Sequence, residues 1–221
     1  AVGMALAERH LAARFGSDLV DHRTWVIASD GDLMEGISHE ACSFAGHLGL
    51  SKLVVLWDDN NISIDGATDL SVSDDQIKRF EAYGWRGERI DGHDPAAIDA
   101  AMTRAKASDR PTLIACRTVI GKNAPTKAGK SSSHGSPLGA AEIEGARKAM
   151  NWPHAAFEVP EAIRSAWRTA GARGSDARAA WTKNLSGAQL KAPFERAIAR
   201  ELPADLDQTV LDYKRKLVAE K

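Results

Sequence analysis

The chain has no long apolar run: nothing in its 221 residues approaches the ~20 that a helix needs to cross a bilayer. No basic-then-apolar leader opens it either, so it is expected to be soluble and cytoplasmic, with no membrane partner. Cysteine is scarce. Cys42 and Cys116 are the only two, each among small or apolar neighbours, which argues against a disulfide framework, favours a reducing compartment and makes both inert core thiols. An excess of one charge is lacking too. With 29 Lys and Arg against 30 Asp and Glu, spread along the chain, there is no basic field to draw in nucleic acid. Internal repeats and disordered tracts are likewise absent.

What is present is a 43% hydrophobic chain, enough to bury the core of one large α/β domain or of a domain with a helical tail. It opens already inside a helical pattern, with Val2, Met4, Ala5, Ala7, Leu11 and Ala12 leading to Phe15 and a stop at Gly16-Ser17. No capping residue precedes that helix, so the chain is expected to be a piece of something longer. "TWVIA" reads as a strand, followed by the corner Asp30-Gly31-Asp32 and a helix whose Ile37, Ala41, Phe44, Ala45 and Leu48 suit a core-facing side. "KLVVLWD" is a second buried strand ending in Asp58-Asp59-Asn60-Asn61.

A helix is predicted over 73–83 with Ser73 or Asp74 as its cap, then a strand in "GWRGERI". Asp94-Pro95 opens a helix to about Ala107, "PTLIACRTVI" is a further strand, and 121–137 is a long Lys-, Ser- and Gly-rich loop. Alternating helices and near-continuously apolar strands predict an α/β fold, a mostly parallel sheet with helices on both faces. From residue 140 the pattern is helical: "AAEIEGARKAMNW", a Pro-initiated "FEVPEAIRSAWRTAG", and 177–220. The division expected is an α/β domain over 1–139 and a helical extension over 140–221, its Lys, Arg and Glu facing solvent.

In an open parallel sheet, ligands sit at the carboxyl ends of strands, where both Asp-rich corners fall. Gly31 lets backbone approach a ligand closely, and amides opening the next helix suit a phosphate. A hard cation such as Mg²⁺ takes oxygen ligands, and the Asp30 carboxylate, the Asn60 side-chain oxygen and the Ile62 carbonyl offer three. Asp-Gly at a strand end is equally the composition of a plain turn. An apolar strand followed by D-x-D also fits the haloacid-dehalogenase class of phosphotransferases, with Asp30 as nucleophile. Against it, Met34 stands where that class has Thr or Val, and no acidic pair follows Lys122 or Lys127.

Taken together, "SDGDLMEGISHEACSFAGHLGLSKLVVLWDDNNISIDG", "RFEAYGW", "IDGHD" and "SSSHGSPLGAAEI" resemble the transketolase family over nearly the whole chain. The resemblance implies the thiamine-diphosphate-binding fold and transfer of a two-carbon ketol unit from a ketose phosphate to an aldose phosphate in the pentose phosphate pathway. It implies thiamine diphosphate with Mg²⁺, or Ca²⁺ or Mn²⁺ in its place, as cofactors. Asp30, Asn60 and the Ile62 carbonyl resemble the metal ligands, and Gly31 the residue whose amide meets the diphosphate. Ile64 and Ile120 match positions around the cofactor rings. His134 matches a catalytic histidine that reaches the diphosphate and the reacting centre, and Glu35 an acidic residue near the subunit interface. His39, His47 and His93 read as structural. The resemblance further implies sugar-phosphate substrates and a homodimer, or a partner subunit carrying the pyrimidine-binding domain. The chain would then be part of a cofactor-binding domain and inactive alone. Three departures stand out: Ser29 replaces the first motif glycine, Asp32 adds a charge beside the diphosphate, and "GKNA" at 121–124 replaces a glycine-rich segment. Ser29, together with the expected absence of the partner domain, motivates a rival reading of this fold as a non-catalytic binding or assembly module.

Overall fold

A computed structural model describes residues 1–220. Helix α1 (Val2–Phe15) leads into strand β1 (Thr24–Ser29), the short helix α2 (Asp30–Met34), α3 (Gly36–His47) and β2 (Leu53–Asp59). Helix α4 (Gln76–Ala82), β3 (Arg86–Asp91), α5 (Pro95–Lys106) and β4 (Thr112–Arg117) complete the sheet. All strands are parallel, in the order β1-β2-β4-β3, with Val26 opposite Val55, Leu56 opposite Ile114 and Ile90 opposite Cys116. The central β2 and β4 carry the apolar runs, whereas β3 reads RGERID, a charged sequence tolerable at a sheet edge, where it also deters pairing with another chain.

The pleat sends alternate residues to opposite faces. Leu53, Val55, Trp57, Leu113 and Ala115 pack under α1, α3 and α4 against Ala5, Cys42, Ala45, Phe80 and Trp85. Phe80 and Trp85 meet edge to face with centroids 5.0 Å apart. On the other face Val54, Ile114 and Cys116 meet Ala101 and Ala105 of α5. Helices therefore lie on both faces, as expected. Gly46 of α3 is obligatory for this packing, because a Cβ there would stand 1.8 Å from the Tyr83 carbonyl oxygen. Both cysteines are free and buried, and burial pushes the Cys42 thiol up to about 11.

Several boundaries and faces differ from expectation. The helix expected over 73–83 begins later, because Asp75, not Ser73 or Asp74, accepts the Lys78 amide and caps it. The last strand ends at Arg117 rather than Ile120, and the third starts at Arg86 rather than Gly84. Helix α3 rests on the sheet through Cys42 and Ala45, which turns Ile37 and Phe44 outward, and Met4 of α1 is exposed as well. In its place α1 buries Glu8, neutralised by Lys52 at 2.6 Å. Asp94 caps α5 as predicted, accepting from the Ala96 amide at 2.9 Å.

The C-terminal third is mostly helical, forming α6 (Ala140–Ala149), α7 (Glu161–Ala172), α8 (Ser175–Gly187), α9 (Lys191–Ala199) and α10 (Leu206–Ala219). Residues 150–160 between α6 and α7 are not helical, and the single stretch expected over 177–220 is broken into α8, α9 and α10. Phe194 of α9 packs with Phe15, Leu19 and Val20 behind α1, and the Trp181 indole donates to the Leu19 carbonyl at 2.9 Å. Helices α7 and α10 bury no residue.

Candidate functional site at the strand carboxyl ends

Asp30 is the first residue of α2 and only 6% exposed. Its Oδ1 accepts from the Trp57 indole at 3.2 Å, and its Oδ2 from the Asn60 and Asn61 amides at 3.2 and 2.9 Å. The last residues of β1 and β2 are thereby joined. Burial pushes the Asp30 carboxyl up, against the pull of those three donors, and the nearby Asp59 charge adds to the rise. A carboxylate has about four acceptor positions, so three donors leave room for one more partner.

Asn60 is held as firmly. Its Nδ2 donates to Asp58 Oδ2 at 3.0 Å and its Oδ1 accepts the Ile62 amide at 2.9 Å, while the Thr118 hydroxyl donates to the other oxygen of Asp58. The chain turns here with Asn61 at a φ of 62°, a left-handed conformation that Asn tolerates. Asp30, Asn60 and Ile62 are thus brought together, with β4's exit tied in through Thr118. Asp59, immediately before, is paired with Arg117 at 3.2 Å and Arg89 at 3.4 Å.

Ser29 and Asp32, the two apparent departures, turn out to be one device. The Asp32 carboxylate accepts from the Ser29 amide at 2.7 Å and hydroxyl at 2.9 Å, and the Ser29 hydroxyl accepts the Asp32 amide at 3.4 Å. This is a capping box that starts α2. The Asp32 charge, expected to disturb the corner, is spent on the Ser29 amide and hydroxyl. Gly31 sits between them, exposed, and a Cβ there would meet nothing nearer than Ser29 Oγ at 3.9 Å. Packing within the chain does not demand a glycine at that position.

The remaining candidates lie around this corner, not in it. His134 is exposed at the end of a short 3₁₀ turn (Ser131–Ser133), its amide donating to the Ser131 carbonyl at 2.8 Å. Glu35 is exposed at the N-cap of α3 and makes no capping bond. Neither side chain is hydrogen-bonded to the Asp30–Asn60 corner among the described residues. Ile120 is half-buried and Ile64 is 72% exposed on the loop after β2, so Ile64 is not a core residue. Sequence reasoning missed Trp57, Asn61, Asp58 and Thr118 as partners of the corner. The Ser29-to-Asp32 spacing, a capping-box pattern, was a readable signal; the others depend on strand register.

The transketolase, thiamine diphosphate binding domain model matches residues 1–208. The chain belongs to the transketolase family. It is 54% identical over 220 residues to a transketolase of Cereibacter sphaeroides, covering 100% of this chain and 33% of that one. It is 50% identical over 214 residues to a transketolase of Sinorhizobium medicae, covering 97% and 31%. Among solved structures, a transketolase from Leishmania mexicana superposes with a TM-score of 0.87 at 35% identity, covering 92% of this chain and 32% of that one. One from Campylobacter jejuni gives 0.84 at 38% identity, covering 88% and 31%. The chain therefore spans about a third of the length of the curated relatives it matches. The phosphotransferase alternative finds no support in these matches. No helix among the described residues is long and apolar enough to cross a membrane.

Proposed function

We propose that the Asp30–Asn60–Ile62 corner holds a divalent cation, Mg²⁺ or Ca²⁺ or Mn²⁺ in its place, and through it the diphosphate of thiamine diphosphate. The observation that carries this reading is the buried Asp30 carboxylate, its two oxygens fixed by three donors and one acceptor position to spare. The donor set is all oxygen, the chemistry of a hard cation that takes one or two protein side chains and completes its shell from phosphate and water. Asp58 and the Ile62 amide orient Asn60 so that a lone pair of its Oδ1 is left for the metal. The open space above Gly31, where a Cβ would contact only Ser29, suits close passage of a diphosphate past the first amides of α2.

When bound, thiamine diphosphate supplies a nucleophilic carbon able to accept and pass on a two-carbon ketol unit. The chain's residues bind and orient it: Ile64 and Ile120 flank its rings, and His134 holds protons and hydrogen bonds near the diphosphate and the substrate oxygens. Glu35 faces the neighbouring subunit. The substrates are ketose and aldose phosphates of the pentose phosphate pathway. The active protein is a homodimer, or a complex with a subunit carrying the pyrimidine-binding domain, and it works in the cytoplasm. Residues 1–139 form the cofactor-binding domain and 140–221 the helical extension, so this segment is not active alone. With Ser29 accounted for as a cap, one of the two grounds for the non-catalytic alternative falls away. Calorimetric titration of the intact protein with thiamine diphosphate, with and without Mg²⁺, tests the reading. Metal-dependent binding is expected, and absence of binding in both conditions would overturn it.

A further inference from the structure

The turn after β3, Gly92-His93 in "IDGHD", is not part of the corner, yet it grips the strand that leads to it. Gly92 donates its amide to the Arg117 carbonyl at 2.8 Å, and a Cβ on it would lie 2.5 Å from Thr118 Cγ2 and 3.0 Å from the Arg117 oxygen. Only glycine allows that approach. The His93 amide donates to Asp91 Oδ1 at 2.8 Å, fixing the turn, and its ring Nε2 accepts the Val119 amide at 2.9 Å. An imidazole nitrogen that accepts from a backbone amide carries a lone pair, so His93 is neutral with its proton on Nδ1. Val119 is followed by Ile120 and preceded by Thr118, which holds Asp58 and through it Asn60.

We infer that His93 is a positioning residue for the cofactor site: its Nε2 fixes the exit of β4 and thereby sets Ile120 and the Thr118–Asp58–Asn60 chain. The inference rests on the functional reading above.

The test compares wild type, His93→Ala and His93→Gln in the intact protein, reading thiamine diphosphate affinity in the presence of Mg²⁺. A Gln Oε1 can accept the Val119 amide in place of the ring nitrogen. His93→Ala is expected to bind roughly five- to tenfold more weakly than wild type, as for a lost hydrogen bond. His93→Gln is expected to keep affinity within about twofold. Equal affinity in all three, or a Gln variant as weak as Ala, overturns the inference. If the wild type binds no thiamine diphosphate, it is the functional reading that fails. Amide exchange at Val119 then still decides the tie, which predicts fast exchange in the Ala variant and slow exchange in the Gln variant.

Discussion

The four-stranded body and the C-terminal helices contain similar proportions of apolar residues but use them differently. In the body, Leu53, Val54, Leu113 and Ile114 of the central strands β2 and β4 are fully buried, and Asp30, Asn60 and Thr118 directly follow β1, β2 and β4, with His93 in the turn after β3. In the extension, α7 and α10 bury nothing, Trp167 is 75% exposed, and contact with the rest of the fold runs through Phe194, Trp181 and Glu142. A pleated sheet covered on both faces removes whole side chains from water and fixes what lies at its ends. A surface helix fixes only the stripe that touches something. Precision at the site is therefore a product of the sheet.

This contrast can be broken by mutation. Leu113→Ala should cost about 3 kcal/mol of unfolding free energy, the usual size for an emptied core position, whereas Trp167→Ala should stay within about 0.5 kcal/mol, as for an exposed residue. Denaturant midpoints that shift equally for the two would remove the distinction. Asp30→Ala strands the Trp57 indole and the two Asn amides without an acceptor, with an expected destabilisation of about 2 kcal/mol, measurable by the same titration. Ser29→Ala removes half of the capping box and should cost about 1 kcal/mol; a neutral result would return Ser29 to the status of an unexplained departure.

The smallest effect concerns the tie between the two regions. The Thr126 hydroxyl and amide, both bonded to Glu142, hold that carboxyl below its ordinary range. A lowered folded value means the stabilisation is present above the unfolded pKa of about 4.3 and disappears as pH falls through the folded one. Amide exchange at Thr126 and Lys127 should therefore quicken in acid, and Glu142→Gln should weaken the tie and flatten that response.

Much of this was legible before any coordinates. The periodicity of α1, the Asp94-Pro95 start of α5 and the β-branched runs of β2 and β4 are local signals, and the structure follows them. Asp30 and Asn60 were legible as corner residues because each directly follows a strand, and Ile62 because it comes two residues after Asn60 in the same turn. The outward turn of Ile37 and Phe44 was not, since a helix's apolar spacing does not say which side meets the sheet. Nor were the Trp57 indole on Asp30 and the His93 ring on Val119, which depend on strand order. Residues 27 and 26 positions apart meet only because β1 lies beside β2 and β3 beside β4.

The central claim is that the strand ends, and not the helical extension, bind the cofactor through a metal. Thiamine diphosphate titrations of the intact wild type, Asp30→Asn and Trp167→Ala, each with Mg²⁺ and with a chelator, address it most directly. The structure predicts Mg²⁺-dependent binding in wild type and Trp167→Ala and its loss in Asp30→Asn. Binding by Asp30→Asn with wild-type affinity and metal dependence would contradict it.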